Sequence, residues 1–216
     1  MGRKIESLLL EGPAGKLEAL LEEPEDGTPV EAAAICHPHP QHGGTMHNKV
    51  VYRLARGLRK TGCVVLRFNY RGVNRSDGMY DGGFGETDDA HTILRELARR
   101  YPGLPLLAAG FSFGARVALR LTSQEAAVRR VIAVGFPMRV TEREFVYHVH
   151  VPKYFIQSTN DEFSPKQEFS DFFHSLPGQK HLNWVAAEDH FFRDALDSYE
   201  IVVQEIGNHR VAAKLA

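Results

Sequence analysis

From about residue 30 onward, short apolar runs alternate with segments of helical periodicity, and this alternation constrains the fold more than any other feature of the chain. The strand-like runs fall at residues 32–36, 63–70, 104–110, 128–136, 153–158 and 181–187. A strand that is apolar at nearly every position must be buried on both faces, so the sheet it joins needs helices above and below it. The helical segments between the runs supply those layers. One is expected over about 48–60, with Gly62 as its stop, and another over 87–101, opening with Glu86, Asp88 and Asp89 where the helix dipole favours acids. Others are expected over 115–122 and about 193–206. A further helix is expected to start at Ser164-Pro165, with Gln167 completing a capping box and Phe169, Phe172, Phe173 and Leu176 facing inward. Ahead of all this, residues 5–10 and 17–22 flank Glu11-Gly12-Pro13-Ala14-Gly15, a turn tight enough to predict an antiparallel hairpin at the sheet edge. The expectation is an α/β chain: a mostly parallel eight-stranded sheet with an antiparallel N-terminal edge hairpin, helices on both faces, and a single domain over 1–216.

The remaining composition narrows the partners. With 26 basic and 27 acidic residues the formal net charge is -1, which argues against nucleic acid or an anionic membrane as the main partner. No segment approaches the roughly 18 apolar residues that span a bilayer. The start, Met1-Gly2-Arg3-Lys4-Ile5-Glu6, has no uninterrupted apolar region of the kind that directs export. The only cysteines, Cys36 and Cys63, each sit within an apolar run, so two buried thiols in a reducing compartment are expected. The chain is read as cytoplasmic, with no membrane or nucleic-acid partner; its oligomeric state is not legible.

Chemistry enters at Gly110-Phe111-Ser112-Phe113-Gly114, a G-x-S-x-G between a strand-like run and a helical one. A nucleophilic serine has to stand exposed at the carboxyl end of a strand, which forces a sharp, strained turn, and flanking glycines leave room where strand and helix nearly touch. The first amides of the following helix then point at the oxygen of a tetrahedral intermediate. Serine alone is a poor nucleophile and needs a base held by an acid. The chain order serine, acid, histidine is met by Asp161, after the run at 153–158, and by His190, after the run at 181–187. His174 falls within a helix, His181 opens a strand and His209 lies in the tail, leaving His190 as the base. For the acid, Glu162 is an adjacent rival expected to point to solvent, and Asp189 cannot easily turn back to the neighbouring ring. Asp161 is preferred.

These residues resemble the α/β-hydrolase superfamily over nearly the whole chain, and especially its small, lid-poor bacterial members related to dienelactone hydrolases. The motifs that carry the resemblance are Cys36-His37-Pro38-His39-Pro40 with Gly43-Gly44-Thr45-Met46, Phe68-Asn69-Tyr70-Arg71-Gly72, and His190-Phe191-Phe192. The chain departs from the family at Ser158-Thr159-Asn160, where a glycine more often precedes the acid. Asn69 and Arg71 are expected to fix their loop, Arg71 pairing with Asp88 or Asp89, and not to touch substrate. The resemblance implies that the loop after the third strand lends the second amide of an oxyanion hole, the first being that of Phe113. Pro38 and Pro40 have no N–H to give, so the amide of His39 is the candidate, with Gln41 behind it.

A competing idea treats His37, His39 and His42 as a metal cluster, since His37-Pro38-His39-Pro40-Gln41-His42 is similar to the H-x-H-x-D-H signature of metallo-β-lactamase-type hydrolases. Gln41 stands where that signature has an aspartate, and the idea leaves Gly110–Gly114 as coincidence. The reading adopted is a serine hydrolase, carboxylesterase-like, acting on a small acyl substrate through an acyl-enzyme, with Ser112, Asp161 and His190 as catalytic residues and no metal or organic cofactor. The alternatives are a thioesterase or peptidase with the same triad, or a catalytically silent binding protein. Residues 137–152, where larger relatives place a lid, are too short for more than one helical cap. Phe111, Phe136, Met138 and Tyr80, with Phe84, are expected walls of an open cleft.

Overall fold

The computed structural model describes residues 4–24, 27–139 and 142–209. Eight strands form one sheet in the order β1-β2-β4-β3-β5-β6-β7-β8. They are β1 (Ile5–Gly12), β2 (Gly15–Glu22), β3 (Glu31–Cys36), β4 (Cys63–Phe68), β5 (Leu106–Phe111), β6 (Val128–Val134), β7 (Lys153–Ser158) and β8 (Lys180–Val185). Strands β1 and β2 make the expected antiparallel hairpin, and β2 joins β4 antiparallel. From β4 through β3 to β8 every pairing is parallel.

Side chains of successive strand residues leave opposite faces of the sheet, so the central strands feed two cores. Ala32, Ala34 and Cys36 of β3 and Val64, Leu66 and Phe68 of β4 face one; Ala33, Ile35, Cys63 and Val65 face the other. The first core is closed by helices α2 (Phe84–Arg100), α3 (Phe113–Gln124) and α4 (Lys166–Ser175), the second by α1 (Lys49–Lys60) and α5 (Leu196–Asn208). Helix α1 starts where its sequence implies, the Asn48 side chain accepting from the amides of Val50 and Val51. Both cysteines are buried. Among the described residues no helix is long and apolar enough to cross a membrane.

Four helix starts differ from expectation, α3 opening at Phe113, two residues ahead of the expected 115. Helix α2 begins one turn early, because the Glu86 carboxylate reaches back to the amides of Gly83 and Asp81 at 2.7 and 2.9 Å. The capping box at α4 does not form: Ser164 Oγ accepts from Gln157 Nε2, and Gln167 Nε2 donates along the helix to Asp171. Helix α5 begins late, after a turn in which Phe192 and Asp194 take φ values of 56° and 58°. Within the segment expected to hold any cap, a 3-10 helix (Glu144–His148) packs against α3 with Val146 and Val149 in the core. Val140 and Thr141 of that segment lie outside the described residues, as do Met1–Arg3, part of the start read for export signals.

Candidate active site

Ser112 is the single residue between β5 and α3, held at φ 58° and ψ -119°. A β-carbon in that region is crowded, so the conformation stores strain that the surroundings must impose. They do so from both sides. The Ser112 amide donates to Val134 O at 2.8 Å on the adjacent strand. A Cβ on Gly110 would stand 2.1 Å from the Gly114 carbonyl oxygen, and one on Gly114 would stand 2.3 Å from that of Cys36, so strand and helix meet backbone to backbone. The two glycines of the motif are required by contact.

The loops after β7 and β8 bring the other two residues to this serine. His190 Nε2 lies 2.9 Å from Ser112 Oγ, and His190 Nδ1 lies 2.7 Å from Asp161 Oδ2. A carboxylate only accepts, so Nδ1 carries the proton and Nε2 of the neutral ring accepts from the serine hydroxyl. Asp161 is fixed in turn, its Oδ1 taking the Phe163 amide at 2.9 Å. The loop after β8 is clasped to the loop after β7: Asn160 Nδ2 donates to Ala187 O at 2.7 Å, and the His190 amide donates to Glu162 Oε2 at 3.0 Å. Glu162, expected to point to solvent, therefore anchors the backbone of His190. Asp189 is occupied with its own turn, accepting from the amides of Phe191 and Arg193. The His190 ring is 2% exposed, with Phe111 and Phe163 each 4.9 Å from its centroid. Gly135, which the sequence reading passed over, directly follows β6 at φ 54°; a Cβ there would lie 3.0 Å from His190 Cε1. Its only sequence signal is a glycine at a strand's carboxyl end.

The histidine-proline loop closes the other side. His37 is fully buried, its Nε2 accepting the Tyr70 amide at 3.1 Å and its Nδ1 donating to Pro38 O at 2.6 Å. Burial pushes its pKa down to about 3, so the ring is neutral and both nitrogens serve the backbone. The three histidines therefore do not converge. His39 stacks on His42 at 4.4 Å, and its Nε2 meets Tyr80 Oη at 3.2 Å. Burial, then His42 and Arg116, lower the His39 pKa. Among the described residues neither the His39 amide nor the Phe113 amide donates to a protein acceptor. Asn69 and Arg71 behave as framework: Asn69 Oδ1 takes the Met46 amide while its Nδ2 donates to Glu18, and Arg71 forks onto Asp89.

A cleft of about 260 Å³ opens over Ser112 and His190. Its walls correct the sequence reading. Phe111, Phe136 and Met138 are 0%, 0% and 4% exposed and do not line it; Phe111 lies against the His190 ring and Phe136 stacks on Phe172. Tyr80 stands behind His39, and Phe84 is on the surface under Arg120. The phenylalanines that line it are instead Phe113, beside Ser112, and Phe163 and Phe191, these last two each within two residues of Asp161 or His190; Pro137, Arg116 and Arg139 line it with them. Proximity in sequence to Asp161 and His190 was the signal for Phe163 and Phe191. A larger depression of about 430 Å³ lies between β8 and α5, where Tyr154, His181 and His209 present no nucleophile with a base beside it.

A family model for an alpha/beta hydrolase domain matches residues 33–211. Over 215 residues the chain is 31% identical to an uncharacterized protein of Rickettsia prowazekii, covering 92% of this chain and 90% of that one. The crystal structure of a lidless a/b serine hydrolase from Xanthomonas campestris superposes with a TM-score of 0.86 at 34% identity, covering 94% of this chain and 93% of that one. An alpha-beta serine hydrolase homologue from Coxiella burnetii gives a TM-score of 0.87 at 32% identity, covering 93% and 96%.

Proposed function

The chain belongs to the alpha/beta hydrolase family, and from that premise we propose that it is a serine hydrolase that cleaves small carboxylic esters through an acyl-enzyme. One observation carries the reading: a strained serine, a histidine and a carboxylate in an unbroken row, with steps of 2.9 and 2.7 Å. In the proposed reaction the Ser112 proton passes to His190 Nε2 as Oγ bonds to the ester carbonyl carbon. The tetrahedral oxyanion lies between the amides of His39 and Phe113, the latter at the positive end of α3. Collapse breaks the bond to the alcohol, which leaves with the proton from His190. Water then gives its proton to His190 and attacks the acyl carbon; Oγ departs, recovers the proton, and the acid is released. Asp161 keeps the ring in the required tautomer and stabilises its charged form. No metal or organic cofactor takes part in these steps. The small cleft and the 3-10 helix packed into the core support short acyl groups. Two buried thiols support a cytoplasmic location, and the enzyme is read as one domain over 1–216.

A fluorophosphonate probe and a panel of p-nitrophenyl esters of rising acyl length, beside a thioester and an anilide, test this reading. Expected are labelling of the wild type that vanishes in Ser112→Ala, and the highest kcat/KM on short oxygen esters. Folded wild-type protein that neither labels nor turns over any ester would overturn it. Preference for the thioester or anilide would keep the triad and reassign the substrate bond.

A further inference from the structure

Helix α3 carries a second cleft residue one turn beyond the serine. Arg116 forms part of the cleft wall beside Phe113 and His42. Its Nε–H is buried and meets no acceptor, and among the described residues no carboxylate pairs with it. The next turn shows what a satisfied arginine looks like on this helix: Arg120 is bonded to Glu142 at 3.0 Å and lies over the rings of Phe84 and Phe145. Arg139, exposed, lines the same cleft and is also without a carboxylate partner among the described residues. None of the residues lining the cleft is an aspartate or glutamate. In a chain whose formal net charge is -1, the mouth of the site is thus a local excess of positive charge.

A guanidinium does not shed its proton to relieve burial, so an unpaired one in a partly desolvated wall calls for an anion from outside. The fork of an arginine matches a carboxylate in a bidentate pair. Four residues of helix rise about 6 Å, which sets an anion on Arg116 a short carbon chain away from a carbonyl at Ser112. We propose that Arg116, supported by Arg139, seats a carboxylate of the substrate, so that the natural substrate is a short ester bearing a second, free carboxylate. The proposal rests on the hydrolase reading and adds the substrate class.

The test compares mono-p-nitrophenyl glutarate with p-nitrophenyl valerate, a neutral ester of similar length. In the wild type the glutarate ester should have the higher kcat/KM by about tenfold or more, the advantage shrinking as salt rises. In Arg116→Gln that ratio should fall about ten- to a hundredfold, and in Arg116→Glu it should invert. Fluorophosphonate labelling of each variant shows that the site is still assembled. Independently, glutarate itself should bind Ser112→Ala in a calorimeter and bind far more weakly to the Arg116→Gln/Ser112→Ala double variant. Equal use of the two esters, with a ratio unmoved by Arg116→Gln, overturns the anion seat and leaves the hydrolase reading intact. Arg116-dependent glutarate binding by a protein that never labels keeps the seat and overturns the hydrolase reading instead.

Discussion

Gly135 decides where the His190 ring can stand. Its missing side chain is the space taken by His190 Cε1 and the Phe111 ring, and its φ of 54° is one that side-chain-bearing residues adopt only under strain. Gly135→Ala should leave the fold intact while pushing the imidazole off the line between Ser112 and Asp161. A displacement of that kind is expected to lower kcat by about ten- to a hundredfold, with a smaller change in KM; steady-state kinetics beside a circular-dichroism melt would separate this from unfolding. That Ser112, Asp161 and His190 would meet was legible in the sequence, because each follows a run apolar enough to be read as a strand. Gly135 was not, because the demand on it comes from a ring 55 positions downstream, His190 minus 135, that only the folded sheet brings near. The walls failed for a related reason. An aromatic residue at a strand end faces core or cleft according to which loops cover it, and Phe111 and Phe136 were covered while Phe163 and Phe191 remained 40% and 39% exposed.

Helices α1 and α5 meet through charge as well as apolar packing. Glu200 on α5 is 2% exposed and takes ion pairs from Arg53, Arg56 and Lys60 on α1. Burial alone would raise its pKa, but the hydrogen bonds from Arg56, Lys60 and Arg53 outweigh it and bring the carboxyl down to about 2. Because the folded value lies below the ordinary 4.5, the contribution is fully present above pH 4.5 and is lost as pH falls toward 2. With Arg56 and Lys60 partly exposed and screened, it is worth about 1–3 kcal/mol. Urea midpoints measured down this pH range should fall more steeply for the wild type than for Glu200→Gln, which should start lower at pH 7. At this scale the strands were readable and the helix ends less so. Glu86 and Ser164 show why: each is a plausible cap by local pattern, yet Glu86 found the amides of Asp81 and Gly83, while Gln157 claimed Ser164.

Across the whole molecule, the parallel order β3-β5-β6-β7-β8 delivers the carboxyl ends of β5, β7 and β8 to one rim, where a site between loops can form. The opposite end of the sheet is held by a buried pair. Arg130 on β6 forks onto Glu31 of β3 and also donates to the carbonyls of Ile206 and His209 at the end of α5. Arg130→Ala would leave Glu31 buried without its partner and the α5 carbonyls uncapped, a loss expected to reach about 3–5 kcal/mol. The urea midpoint should drop accordingly, while fluorophosphonate labelling of the folded fraction at low temperature stays at the wild-type rate. The most direct measurement of the central claim lies at the other rim. Acid-quenched mixing with p-nitrophenyl acetate, followed by mass analysis of the peptide spanning Gly110–Gly114, should reveal one acetyl group on Ser112 in the wild type and none in Ser112→Ala. Turnover of the ester with no acyl adduct, continuing undiminished in Ser112→Ala, would contradict it.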